Sequence, residues 1–232
     1  MDLYQLHWPM RNFPHFGKNL AGSLDFKENP DYVSDEHFIE ILTALDDCIK
    51  AGKIRYIGLS DDTAWGIMKY LELAKIHNLP RMVSIQNEFS LLNRSDDPYV
   101  AEVCVRENVA YLPWSPLAAG LLSGKYANGA RPEGSRWAVE DRIGRRHKPF
   151  RDNDASHAAV VAYHDIAKKY GLNATQMALK FLEMQPFVAS TIIGATTMDQ
   201  LKSNIDAFEL PDLSPEILAD IHDVYKLYPI PF

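Results

Sequence analysis

Five short apolar runs each end on residues that can do chemistry. YQLHWP closes with His7 before Pro9, IRYIGLS is followed by Asp61 after Ser60, and MVSIQN ends on Gln86 and Asn87. VAYLPW hands over Trp114 and Ser115, and VASTIIG leads through Gly194 to Thr196. An imidazole gives or takes a proton near neutral pH and donates hydrogen bonds to oxygen. Hydroxyl, amide and carboxylate groups supply donors and acceptors to a polar ligand. An indole offers a face to a planar ring, and glycine lets backbone come close. Taken singly, Asp61 or Thr196 suits a helix cap. Polar residues at the same end of five successive runs point instead to one polar site.

The segments between these runs are amphipathic helices. Ser34 followed by Asp35 and Glu36 caps a helix over 35 to 50, with Phe38, Ile41, Leu42, Leu45, Cys48 and Ile49 on one stripe and Gly52 as the stop. A second helix is expected over about 63 to 76, and a third opened by Asp97 and Pro98 and running to Glu107. After a long connection over 115 to 152 come helices at 154 to 170, 174 to 185 and 197 to 207. Ser214-Pro215-Glu216 caps a last one. Apolar strands alternating with such helices make parallel βαβ units and an α/β fold. An open doubly wound sheet and a (β/α) barrel both fit. No GxGxxG follows the early strands, which favours the barrel, and in a barrel all five strand ends share one face. One domain over 1–232 is expected.

The 232 residues are 47% hydrophobic and 24% charged with a net charge of −7, which argues against a nucleic-acid or anionic-membrane surface. No apolar run is long enough to span a bilayer, and no basic segment precedes an apolar core at the N-terminus, so a cytoplasmic protein is expected. Cys48 and Cys104 fall on apolar helix faces outside any metal-spaced cluster, which predicts two reduced thiols and no metal site. Residues 125 to 151 hold eight basic and three acidic side chains, so the remainder carries −12. That segment is either a solvated loop or a flap that attracts phosphate. GLLSGK within the same region is not a Walker loop, since the spacing is short and Tyr126 stands where Ser or Thr belongs.

LHWP at a strand end, GKIRYIGLS, QNEFSLLNR, PWSPLAAGLLSGKY and STIIGATTMDQLKSNI occur in this order over the whole chain. Together they resemble the aldo-keto reductases, most closely the bacterial Tas-type branch. The resemblance implies a (β/α)8 barrel that passes a hydride from NADP(H) to a small aldehyde or ketone. It makes His7 the catalytic residue that hydrogen-bonds the substrate carbonyl. Ser60, Asp61 and Gln86 match residues that hold the nicotinamide carboxamide; the family has asparagine at the position of Asp61, and an aspartate only accepts. Trp114 matches an aromatic that stacks on the nicotinamide. The run from Ser115 to Gly124, with Pro116, Leu117, Gly120, Leu121 and Ser123, matches the segment around the pyrophosphate. Lys125 and Arg136 match phosphate-binding residues in the branch that includes potassium-channel beta subunits. Gly194, Thr196, Gln200 and Asn204 match the adenosine end, and Gln200 stands where many relatives have arginine.

The same resemblance aligns Met1 with the start of the family's fourth strand. It therefore implies a truncated barrel of about five βα units out of eight, without the family's proton-donating tyrosine and its lysine and aspartate partners. Little or no turnover by this chain is expected, and its two open sheet edges predict self-association. A non-catalytic dinucleotide-binding or interaction subunit is the alternative expectation.

Overall fold

The computed structural model describes residues 1–13, 29–143 and 151–231. It comprises two compact units, Met1–Asn87 with Asp96–Leu112, and Glu88–Ser95 with Pro113–Phe232. No helix among the described residues is long and apolar enough to cross a membrane.

In the first unit four parallel strands lie in chain order: β1 (Leu3–Leu6), β2 (Tyr56–Ser60), β3 (Met82–Gln86) and β4 (Ala110–Tyr111). The crossovers contain α1 (Asp35–Lys50), α2 (Ala64–His77) and α3 (Val100–Glu107), as the apolar spacing predicts. The Ser34 hydroxyl accepts the His37 N–H to start α1, and Thr63 does the same for Gly66 at the start of α2. Both α2 and α3 stop on an asparagine in the left-handed conformation, Asn78 and Asn108. Ile57, Leu59 and Ile85 of the sheet are buried with Phe38 and Leu42 of α1 and Ile67 and Tyr70 of α2. Phe38 and Tyr70 meet edge to face at 4.7 Å. This parallel α/β sheet is part of a barrel wall.

The opposite face of the sheet is polar and tightly filled. Gln5, Gly58 and Ser84 lie in register, and the Gln5 amide donates to the Leu59 carbonyl at 3.2 Å and to the Ser84 hydroxyl at 3.4 Å. A Cβ on Gly58 would stand 2.2 Å from Ser84 Oγ and 3.0 Å from the Ser84 carbonyl oxygen. The glycine is what lets these side chains cross.

The second unit carries α4 (Arg136–Arg142), α5 (Asp154–Lys169), α6 (Ala174–Glu183), α7 (Met198–Asp206) and α8 (Pro215–Leu227). Tyr163 of α5, Met177 and Leu182 of α6 and Ile221 of α8 are buried in its core. Residues 88–95 are held there by Phe89 against Phe187, by Tyr163 donating to the Leu91 carbonyl, and by the Arg94 guanidinium over the rings of Phe181 and Tyr225. Glu88 and Arg151 form an ion pair that is 4% exposed on each side.

Four elements differ from the sequence pattern, the first being α4, which lies inside the expected long connection over 115 to 152 and is capped by Ser135. The expected fifth strand at 188–194 forms no ladder. Its neighbour Pro113 has no N–H to give, the Trp114 carbonyl accepts from Phe89, and the backbone link to this segment is the Ile192 N–H to the Pro113 carbonyl at 3.0 Å. The expected strand over 109–114 shortens to β4 for the same reason. The third helix begins at Val100 rather than after Asp97, because the Asp96 carbonyl turns the chain first by accepting from Tyr99 and Ala101.

Gly58→Val is expected to cost about 2 kcal/mol, since a nearby backbone carbonyl cannot swing away as a side chain can. Gly58→Ala should lose less, whereas alanine at an uncrowded strand glycine would gain. Urea midpoints measure both, and a rise for either variant would refute the packing argument.

Candidate functional site

The register brings three of the predicted residues into one row. Leu6 pairs with Leu59 and Ser60 pairs with Gln86, and His7 follows directly after Leu6, at the end of β1 where Ser60 closes β2. The row caps the polar layer of Gln5, Gly58 and Ser84, on the same face and at the C-terminal strand ends. His7 is exposed and stacks on Trp8, with ring centroids 4.1 Å apart. The Ser60 hydroxyl donates to the Gln86 carbonyl at 2.8 Å, and the Asp61 N–H donates to the same oxygen at 3.0 Å. Asp61 is 3% exposed with a φ of 51°, a left-handed position that aspartate and asparagine tolerate better than most residues.

Directly behind the row runs a buried network that sequence reasoning missed. Asn87 is fully buried; its side-chain carbonyl accepts the Asp62 N–H at 3.2 Å, and its amide nitrogen donates to the Asp62 carbonyl at 2.8 Å. The same nitrogen donates to Asp96 at 2.7 Å, and the Tyr111 hydroxyl donates to that carboxylate oxygen at 2.7 Å. Asp62 is ion-paired with Arg11. Burial pushes the Asp62 carboxyl up, with the Arg11 charge pulling the other way. Asp61-Asp62 following a strand is the one local signal of this network. Its partners lie too far along the chain for spacing to reveal.

In the second unit the Trp114–Lys125 segment carries unusual backbone. Ser115, Ala118 and Ala119 have φ of 56°, 49° and 56°, followed by Gly120 at 93° and Gly124 at 74°. Trp114 is half-buried and pairs its backbone with Glu88. Pro116 and Leu121 are buried, and the Leu117 carbonyl accepts from Gly120 and Leu122. The Ser115 carbonyl and hydroxyl accept from Ala118 and Ala119, and the Ser123 hydroxyl donates to the Gly120 carbonyl. So the loop shapes itself with its own N–H groups. Lys125 is the cation beside it: a Cβ on Gly120 would lie 3.0 Å from Lys125 Cε, and the ammonium sits 5.3 Å from the Tyr126 ring centre.

The basic stretch is less bare than its composition suggests. Arg131 meets Asp141 and Asp152, Arg136 meets Glu140 at 2.8 Å, and Arg151 meets Glu88. Arg145, Arg146 and Lys148 lie outside the described residues.

Gly194, Thr196, Gln200 and Asn204 come together at the start of α7. Asn204, buried, donates to the Gly194 carbonyl at 3.1 Å; the Gln200 side-chain oxygen accepts from the Thr196 N–H and hydroxyl. Thr197, which the sequence pattern did not single out, is the helix cap.

Comparison with known proteins bears on this arrangement. Residues 1–226 match the Aldo/keto reductase family. The chain is 48% identical to Protein tas of Escherichia coli K12 over 231 residues, covering 100% of this chain and 63% of that protein. It is 32% identical over 183 residues to the L-glyceraldehyde 3-phosphate reductase of Escherichia coli O157:H7, covering 78% and 52% of the two chains. It is 30% identical over 197 residues to a protein of Schizosaccharomyces pombe named putative voltage-gated potassium channel subunit beta, covering 82% and 56%. The chain thus spans less than two thirds of the length of each of these relatives.

The network also fixes a thiol. Cys104 of α3 is 3% exposed, and burial with the nearby Asp96 charge pushes its pKa up to about 12. A disulfide-exchange reagent at pH 8 should therefore titrate Cys48 quickly and reach Cys104 only after denaturant is added. Two fast equivalents from the native protein would contradict the packing around Asp96.

Proposed function

The chain belongs to the aldo/keto reductase family, and on that premise we propose that it carries the cofactor-holding residues and the carbonyl-facing histidine of an NADP(H)-dependent, cytoplasmic oxidoreductase. The substrates are small aldehydes and ketones. The observation that carries this reading is the pairing of Ser60 with Gln86 at neighbouring strand ends, with His7 next after Leu6 at the same end of β1. The similarity to a protein named L-glyceraldehyde 3-phosphate reductase supports the same substrate class.

When bound, the nicotinamide supplies the hydride. His7 donates a hydrogen bond to the substrate oxygen, which favours the negative charge that grows there. The Ser60 hydroxyl donates to the Gln86 carbonyl, so its oxygen offers a ligand an acceptor. That suits an N–H of a carboxamide, while the Gln86 side chain brings an amide of its own. Trp114 offers a ring face. Among the residues of the second unit, Lys125 takes a phosphate beside the loop of Ser115, Pro116, Leu117, Gly120, Leu121, Ser123 and Gly124, with Arg136 adding charge. Gly194, Thr196, Gln200 and Asn204 take the adenosine end. The left-handed residues of that loop support a binding role, since such backbone is retained where function needs it.

The row has neither tyrosine nor lysine. Tyr4 falls on the other face by alternation, and Tyr56 shares the face about 13 Å down the strand. Residues 1–232 by themselves are therefore expected to reduce aromatic aldehydes near the background rate. A rate within about tenfold of a full-length relative would overturn that expectation. A second reading, a subunit that binds dinucleotide or a partner without turning over, is favoured by the similarity to the fungal protein named as a channel beta subunit.

Titration with NADPH while following tryptophan fluorescence tests the cofactor reading. Quenching is expected for the unaltered chain, with Lys125→Met weakening binding about tenfold through loss of a charge-assisted contact. No quenching at millimolar NADPH would sink it.

A further inference from the structure

Arg11 sits in a socket built for it. Its guanidinium pairs with the Asp62 carboxylate, donates to the Thr63 hydroxyl at 3.3 Å and lies 5.0 Å from the centre of the Trp65 ring. Gly66 completes the socket, since a Cβ there would fall 2.2 Å from the guanidinium nitrogen and 2.1 Å from the carboxylate. The pair is 5% and 2% exposed. Arg11 is also the one buried residue among residues 1–13; His7, Trp8 and Met10 are all exposed.

Stability does not account for this construction. A buried ion pair costs so much desolvation that an apolar pair of similar volume commonly serves the fold as well or better. What an ion pair adds is direction, because a forked guanidinium accepts only certain placements of its partners. Asp62 is itself fixed by Asn87, immediately after the Ser60-Asp61 turn. An anchor four residues past His7 that reaches this fixed point determines where the end of β1 lies.

We propose that Arg11 is a positioning residue that holds the His7 end of β1 against the Ser60-Asp61 turn. Its importance for catalysis rests on the reading of His7 as the carbonyl-facing group, whereas the anchoring stands on geometry alone. Without the pair, β1 keeps its ladder to β2, but the strand end carrying His7 loses its tether.

Hydrogen–deuterium exchange read by mass spectrometry on the full chain tests this with neither cofactor nor turnover. The variants are Arg11→Lys, which keeps the charge without the fork, and the double change Arg11→Met with Asp62→Leu, which removes both charges. The peptide covering residues 3–13 should exchange about tenfold faster in the double variant and by a smaller factor in Arg11→Lys, with β3 and α3 unchanged. Unchanged exchange in 3–13 would overturn the proposal, as would faster exchange spread evenly over the first unit. If the double variant fails to fold, Arg11→Lys decides by the same criterion. Failure of NADPH to bind the unaltered chain would defeat the cofactor reading and leave the exchange result standing.

Discussion

The side chain of Asn87 takes over where the sheet stops. Strands β1 to β3 lose their ladder at Leu6, Ser60 and Gln86, and beyond those points buried backbone still needs partners. Asn87 offers its amide to Asp62 as a neighbouring strand would, accepting at 3.2 Å and donating at 2.8 Å, and spends its other N–H on Asp96. An asparagine has two donors in this group, and here both are used. Aspartate in its place would set two carboxylates against each other and leave the Asp62 carbonyl without its donor. The left-handed turn at Asp61, the place of Ser60 and the socket for Arg11 all depend on this amide.

The second unit solves the same problem by different means. Its loop from Ser115 to Gly124 puts three non-glycine residues in left-handed conformations, at a cost of about 1 kcal/mol each. That cost is offset by hydrogen bonds the loop makes to itself and by the ring stack beneath it. Tyr126 and Trp137, both fully buried, lie parallel with centroids 4.1 Å apart, and the Arg131 guanidinium sits 5.2 Å from the Trp137 ring centre. Arg131 in turn joins Asp141 and Asp152. In one unit polar side chains hold the functional row; in the other a strained backbone is held over an aromatic platform.

These differences explain what the sequence could reveal. Ser34, Thr63 and Ser214 act on residues three positions away, so helix starts were legible in a short window. His7, Ser60 and Gln86 were legible as strand ends because alternation and apolar runs are local patterns. The loss of a strand at 188–194 was not, because pairing depends on Pro113, far back in the chain. Nor was the Arg11–Asp62–Asn87–Asp96 chain, whose links join residues up to 51 positions apart. The need for glycine at 58 is likewise set by Gln5 and Ser84, residues far from it in the chain.

The hydrogen-bond directions also sort ligands. The Gln86 carbonyl receives both the Ser60 hydroxyl and the Asp61 N–H, so neither group has that proton left for a ligand. A group that meets the Ser60 oxygen must therefore bring a donor, as an amide does and an ionised phosphate does not. Phosphate needs cations, and in the other unit Lys125 stands beside the strained loop. The Ser60-Asp61 turn is thus held by the strand beside it, with the Gln86 carbonyl taking both donors.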